Sequence, residues 1–163
     1  MMSGAAIGQV TDYLRQLTET VRTESSDGAR LVSDLKNNPI CRVTLDQAVP
    51  CISLTWGRYA TSAQLRFVHE CVLELLKREG LGKILGDDSA LAVIPVDDQA
   101  WLCEDWMPRA AVAGLKAAAS KSPQAFFGKQ SVANVQSGAP PEIALRSFDT
   151  LDEARAWLQS VSF

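Results

Sequence analysis

Residues 40–57 read ICRVTLDQAVPCISLTWG. Two runs, ICRVTL and CISLTW, alternate apolar and polar residues, and DQAVP stands between them as a turn. A period of two places every second side chain on one face of a strand. The stretch therefore predicts a β-hairpin with Ile52, Leu54 and Trp56 on one face and Gly57 ending the second strand. The period then changes. Thr61 and Gln64 fit a capping box, and Leu65, Val68, Val72, Leu75 and Leu76 form a helical stripe that runs to Gly80, a natural residue just past a helix end. KILG at 83–86 is a short apolar run of the buried-strand kind, and the chain leaves the sheet at Asp87-Asp88.

Beyond this hairpin, helix and strand comes DDQAWLCEDWMPRAAVAGLK, residues 97–116. Asp97 is expected to cap a helix, with Val96 and Trp101 as a hydrophobic staple and Leu102, Trp106, Ala110 and Ala113 along one face. Asp105 and Arg109 form an i,i+4 pair in the favourable order. Pro108 has no N–H for the carbonyl of Glu104, so a kink or break is predicted there. LKAAAS at 115–120 is read as a strand from context only, because alanine prefers helix. GKQSVANVQSGAPP holds a short helix ending at Gly138, and EIALRSF at 142–148 alternates like a strand. Thr150 and Glu153 fit a capping box before a last helix that buries Leu151, Ala154, Trp157 and Leu158.

Toward the N-terminus, Ile7, Val10, Leu14, Leu17 and Val21 are spaced 3-4-3-4, which predicts a helix over 5–24. SSDG at 25–28 breaks it, and ARLVSDLK at 29–36 is a second helical pattern that stops before Asn37-Asn38-Pro39. Residues 1–36 are thus expected to be a helical arm on an α/β domain at 37–163. Such an arm packs on its own domain or pairs with a second copy as a homodimer. Tyr13, Leu31, Val32 and Leu35 widen its apolar surface beyond a coiled-coil seam, which favours its own domain. The fold expected is α/β: a single layered domain with a mixed four- to five-stranded sheet flanked by helices, plus the N-terminal helical arm.

The chain has 163 residues, 47% hydrophobic and 21% charged, enough to bury a core without disulfides or metal. A net charge of −3 argues against binding a phosphate backbone. The longest apolar run, ALAVIPV, is too short to span a bilayer, and MMSGAAIGQV lacks a basic region before an apolar core, so neither a transmembrane segment nor a signal peptide is expected. Cys41, Cys51, Cys71 and Cys103 form no C-x-x-C pair, and His69 is the one histidine. This set does not make a structural zinc site; free thiols in a reducing cytoplasm are expected, with no cofactor. His69 and Cys71 lie two apart on a helix and point different ways, so they are not a catalytic pair. No G-x-S-x-G, P-loop or dinucleotide fingerprint is present.

The strings LTWGRYATSAQL, KILGDDSAL, VDDQAWLCEDWMPRAAVAGLKAAA, FGKQSVANVQ and SFDTLDEARAWL resemble the STAS superfamily in its SpoIIAA-like (STAS/SEC14-like) branch, from about residue 40 to the end. The resemblance implies a small bacterial cytoplasmic protein with no established reaction. It brings two further implications: regulation through phosphorylation of a serine near a helix start, as in anti-sigma-factor antagonists, or lipid binding, as in the related CRAL-TRIO domains. Ser89, in DDSALAVI at 87–94, is the candidate switch serine. Pro95 would stop a helix beginning there after one turn, so 87–95 is read as an irregular loop and the switch as absent or altered.

Trp56, Asp87, Asp97, Trp101 and Arg109 are the candidate ligand-binding residues. Tryptophans on an amphipathic helix are also ordinary core, and acids at a helix start are also ordinary capping. Asp87, Asp88, Asp97 and Asp98 cluster where an open α/β sheet binds ligands, but without histidine they offer only hard-cation chemistry. Three functions follow in order. The first is a non-catalytic STAS-like regulatory or protein-interaction domain. The second is a binder of a small apolar or lipid-like ligand, which a preformed cavity beside Trp56 and Trp101 would favour. The third is an enzyme using the Asp87/Asp97 acidic cluster.

Overall fold

A computed structural model describes residues 22–26 and 29–163. One mixed sheet of seven strands lies in chain order: β1 (Arg22–Ser26), β2 (Ala29–Ser33), β3 (Pro39–Asp46), β4 (Cys51–Trp56), β5 (Lys83–Asp87), β6 (Ala117–Lys121) and β7 (Ala144–Phe148). β1 to β4 are an antiparallel meander, and β4 to β7 run parallel. Parallel neighbours need crossovers, which is why the helices enter only after β4. They are α1 (Ser62–Glu79); α2, built from Val96–Trp101, Leu102–Trp106 and Met107–Val112; α3 (Phe126–Gly138); and α4 (Leu151–Ser160).

The sheet has seven strands, not the four to five expected, and the difference lies in the segment read as an arm. ARLVSDLK is not a helix: Ala29–Ser33 pairs with β1 on one side and β3 on the other, with Val32 opposite Cys41 and fully buried. The spacing of Leu31, Val32 and Leu35 suits a helix, but β3 offers an open edge, and pairing there satisfies the backbone of both strands. Leu35 instead sits exposed in the turn after β2. Asp34 closes that turn by accepting from the backbone N–H groups of Lys36 and Asn38, and Asn37 takes φ 66°. Residues 22–24 of the expected first helix are strand, and residues 5–21 lie outside the described residues, as does a dimer contact through them.

The 40–57 hairpin forms as its alternation predicts. Ile52, Leu54 and Trp56 are buried on one face, and Asp46 holds the turn by accepting from the N–H groups of Ala48 and Val49. That face packs on α1, α2 and α3. The opposite face, with Cys51, Leu85, Ala117 and Ala119, packs on Ala154 and Leu158 of α4. Lys83 ties down the end of α4 by donating to the carbonyls of Leu158 and Val161, a cation at the negative pole of a helix.

α1 carries the expected capping box of Thr61 and Gln64 and ends at Gly80 with φ 64°. α2 departs from expectation at both its start and its middle. Pro95, not Asp97, occupies the cap position, and no side chain caps the helix. Val96 is 77% exposed, so no staple forms with Trp101. Pro108 does not end the helix, but the regular α ladder is interrupted just ahead of it. A π turn over Leu102–Trp106, with the Met107 N–H donating to the Leu102 carbonyl five residues back, widens the helix just before the ring, and the chain continues helical to Val112.

Candidate functional site

Between the helix-covered face of the sheet and α1, α2 and α3 lies a cavity of about 140 Å³. Its floor is the inward side of the parallel strands, and two small residues there create the space. Gly86 on β5 and Ala118 on β6 stand where larger strand residues would fill it. A Cβ at Gly86 would lie 3.3 Å from Asp88 Oδ1 and 3.6 Å from Ser120 Cβ, so the missing side chain opens the polar end of the cavity. Leu54 and Trp56 of β4, Leu65 and His69 of α1, Leu102 and Trp106 of α2, and Val132 and Val135 of α3 supply most of the remaining wall. Leu91 and Ile94 close it from the irregular 88–95 loop. That loop is pinned to α3: Ser131 Oγ accepts from the Ile94 N–H at 3.0 Å, and Gly128 lets the helix approach the Leu91 carbonyl.

The polar groups gather toward the carboxyl ends of β5, β6 and β7, the edge at which parallel sheets bind ligands. Asp88 has its carboxyl pKa pushed up from 3.8 to about 7, first by burial and then by the neighbouring Asp87 charge; the Ser120 hydroxyl partly offsets this. Ser120 Oγ lies 3.2 Å from Ser147 Oγ, which also accepts from Gln136 Nε2 at 2.6 Å. Farther along the wall, His69 sits in an aromatic cluster. Its ring stacks on Trp56 with centroids 5.5 Å apart and meets the edges of Trp106 and Trp101 at 4.9 and 6.2 Å. Burial lowers its pKa from 6.5 to about 4, so the imidazole is neutral at pH 7. Its Nδ1 lies 2.9 Å from the Leu65 carbonyl. A carbonyl only accepts, so Nδ1 carries the proton and Nε2 is left as a bare acceptor. Trp106 is held in place by donating from Nε1 to the His69 carbonyl at 2.7 Å.

Of the five residues singled out from sequence, Trp56 lines the cavity. Trp101 is half-buried outside it, with the Arg66 and Arg109 guanidinium groups 5.0 and 6.0 Å from its ring centroid. Arg109 spends its guanidinium on Glu70, with contacts of 3.0 and 2.5 Å, and on Asp105 at 3.2 Å. Asp87 falls on the other side of the β5 pleat from Gly86, and its carboxylate accepts from the N–H and hydroxyl of Ser89. Asp97 is exposed at the start of α2. It is Asp98 that turns inward. It is fully buried and accepts from Ser62 Oγ at 2.6 Å and Arg66 Nε at 2.8 Å, which fastens α2 to α1. The structure thus brings Trp101 and Arg109 together on the outside, places Trp56 in the cavity, and leaves Asp87 and Asp97 apart from all three.

Gly86 and Gln136 carried no signal in the sequence, His69 was weighed only against Cys71, and Asp88 and Trp106 stood among the acidic cluster and the helix face without being singled out as ligand-binding. A signal existed for His69, which stands four residues after Leu65 and one after Val68, beside the buried stripe of α1. The cysteines are not activated. Burial raises all four thiols above their usual range, Cys51 to about 11. Among the described residues, no group of three or more His, Cys, Asp or Glu side chains is placed to hold a metal ion, and no helix is long and apolar enough to cross a membrane. Comparison with known proteins finds no matching family model, no matching curated protein and no matching solved structure.

Proposed function

We propose that this protein is a non-catalytic binding domain whose cavity takes one small, mainly apolar molecule. The cavity itself carries this conclusion. The space of about 140 Å³ is partly open to solvent, and most of its wall is apolar side chain left wet when nothing is bound. A larger side chain at Ala118 would cover much of this wall, yet a small residue stands there. A bound apolar molecule would take that wall out of water. The volume suits a single ring, since an apolar cavity of about 150 Å³ in another protein accepts benzene.

Binding fits better than catalysis because the thiols are held protonated and the one imidazole at the cavity is neutral with Nδ1 committed to a carbonyl. The likeness to the SpoIIAA-like branch of the STAS superfamily supports the same conclusion. Four of the five strings that carry it contribute to the wall: Trp56 and Leu65, Gly86 and Leu91, Leu102 and Trp106, Val132 and Val135. A regulatory module of this kind would pass ligand occupancy to a protein partner. Phe126 and Phe127, 73% and 69% exposed and packed edge to face, are the observation that favours this second reading.

Native mass spectrometry of the protein purified from its own host tests the proposal. The expected result is one small molecule per chain, retained under native conditions and lost on denaturation. A bare chain that is also not stabilised against heat by any single-ring compound would overturn it.

A further inference from the structure

We infer that the cavity selects a neutral, ring-sized molecule bearing a hydrogen-bond donor, a hydroxyl or neutral amine, which donates to His69 Nε2, and that it rejects anions. Taking the cavity as the binding site, the inference names what that site recognises. His69 lines the cavity, and the bond from Nδ1 to the Leu65 carbonyl fixes the tautomer, so the ring has an acceptor to offer a ligand and no donor. The stack on Trp56 and the edge contact with Trp106 hold the ring in one plane, which makes the acceptor directional. Gln136 has committed its Nε2 to Ser147, leaving its side-chain oxygen as a second acceptor. Asp88 adds a carboxyl at the same polar end.

Among the described residues, no cation balances these groups. Arg146 is the one lysine or arginine among the lining residues, and by strand alternation it points away from Leu145 and Ser147. Its guanidinium stands 5.1 Å over the Phe148 ring, which packs against Trp157 of α4 on the far side of the sheet. A carboxylate or phosphate entering the cavity would lose its water and meet acceptors and a carboxyl. A hydroxyl would lose its water and meet an imidazole lone pair.

Four probes of nearly equal size separate these cases by isothermal titration calorimetry at about pH 8.5, where the Asp88 carboxyl is ionised and phenol is still neutral: phenol, anisole, toluene and benzoate. Anisole replaces the phenol proton with a methyl group, toluene has no polar atom, and benzoate is an anion. The expected order places phenol about fivefold or more tighter than anisole, with no detectable binding of benzoate. His69→Phe keeps the aromatic stack and removes the acceptor, and should reduce the phenol-to-anisole ratio to one or below. Anisole or toluene binding as tightly as phenol, benzoate binding tightest, or a ratio unchanged in His69→Phe would each overturn the inference while leaving a ligand-binding cavity in place. Failure of all four probes would overturn the cavity as a binding site, and this inference with it. The parent series is decisive without the variant.

Discussion

Replacing Asp88 with asparagine should change how the stability of this protein depends on pH. Burial, reinforced by Asp87, raises the Asp88 pKa from 3.8 to about 7. A carboxyl raised on folding holds its proton more tightly in the folded state. Its contribution is therefore complete below about pH 4 and is lost as pH rises toward 7. At about 1.36 kcal/mol for each pKa unit, the full effect is roughly 4 kcal/mol, and the partial exposure of Asp88 to solvent trims it to about 2–4 kcal/mol. His69 works in the opposite sense. Its pKa falls from 6.5 to about 4, so its contribution is present above pH 6.5 and is lost as pH falls toward 4. In the parent these two slopes oppose each other between about pH 4 and 6.5. Asparagine matches aspartic acid in shape and does not titrate, so Asp88→Asn removes only the falling limb. Urea unfolding followed by tryptophan fluorescence at pH 4.5, 5.5, 6.5 and 7.5 reads the difference directly. The variant should gain about 2–4 kcal/mol on the parent across that range. A difference that stays constant to within roughly 0.5 kcal/mol would show that the Asp88 carboxylate is solvated and that the polar end of the cavity is open water.

Three further substitutions probe the frame around the cavity, each read by the same unfolding assay. Trp106→Ala removes a ring that is 4% exposed and should cost about 3–5 kcal/mol, whereas Trp101→Ala, at the half-buried outer position, should cost about half as much. Gly128→Ala places a Cβ 2.5 Å from the Leu91 carbonyl oxygen and 2.8 Å from Pro123 Cβ; it should cost about 1–3 kcal/mol and loosen the 88–95 loop, seen as faster amide exchange there. Asp98→Ala removes the acceptor that Arg66 Nε and Ser62 Oγ share and should cost about 2 kcal/mol, less than a fully buried pair because the Arg66 side chain is 24% exposed.

Elements declared by local signals were legible in the sequence. The 40–57 alternation, the Thr61–Gln64 cap, Gly80 and the KILG run each name a structure within a few residues of themselves, and each formed. β2 was not legible, because Leu31, Val32 and Leu35 satisfy helical spacing and what decides against a helix is the edge of β3, a partner outside the segment. The role of Asp98 was not legible for the same reason: it is drawn in by Ser62 and Arg66, 36 and 32 residues away, while Asp97, expected as the cap, stays exposed. The Asp105–Arg109 pair was legible from its spacing and formed, but the contact with Glu70, 39 residues distant, was not. Trp56 could be picked out because its strand face was plain. The cavity could not, because it arises from what Gly86 and Ala118 lack, and a missing side chain matters only once facing helices are in position.

The most direct test of a ligand-binding cavity is calorimetric titration of phenol into the parent and into Ala118→Leu, whose larger side chain occupies the space over β6. The parent should bind one phenol per chain with a negative heat-capacity change, as expected for apolar burial. Ala118→Leu should remain folded and give no binding heat. It should also be as stable as the unliganded parent or more so, since its side chain covers apolar wall that is otherwise wet. Equal binding of phenol by both proteins would place the site elsewhere. No binding by the parent, together with a destabilised Ala118→Leu, would mean that the space is packed core and takes no ligand.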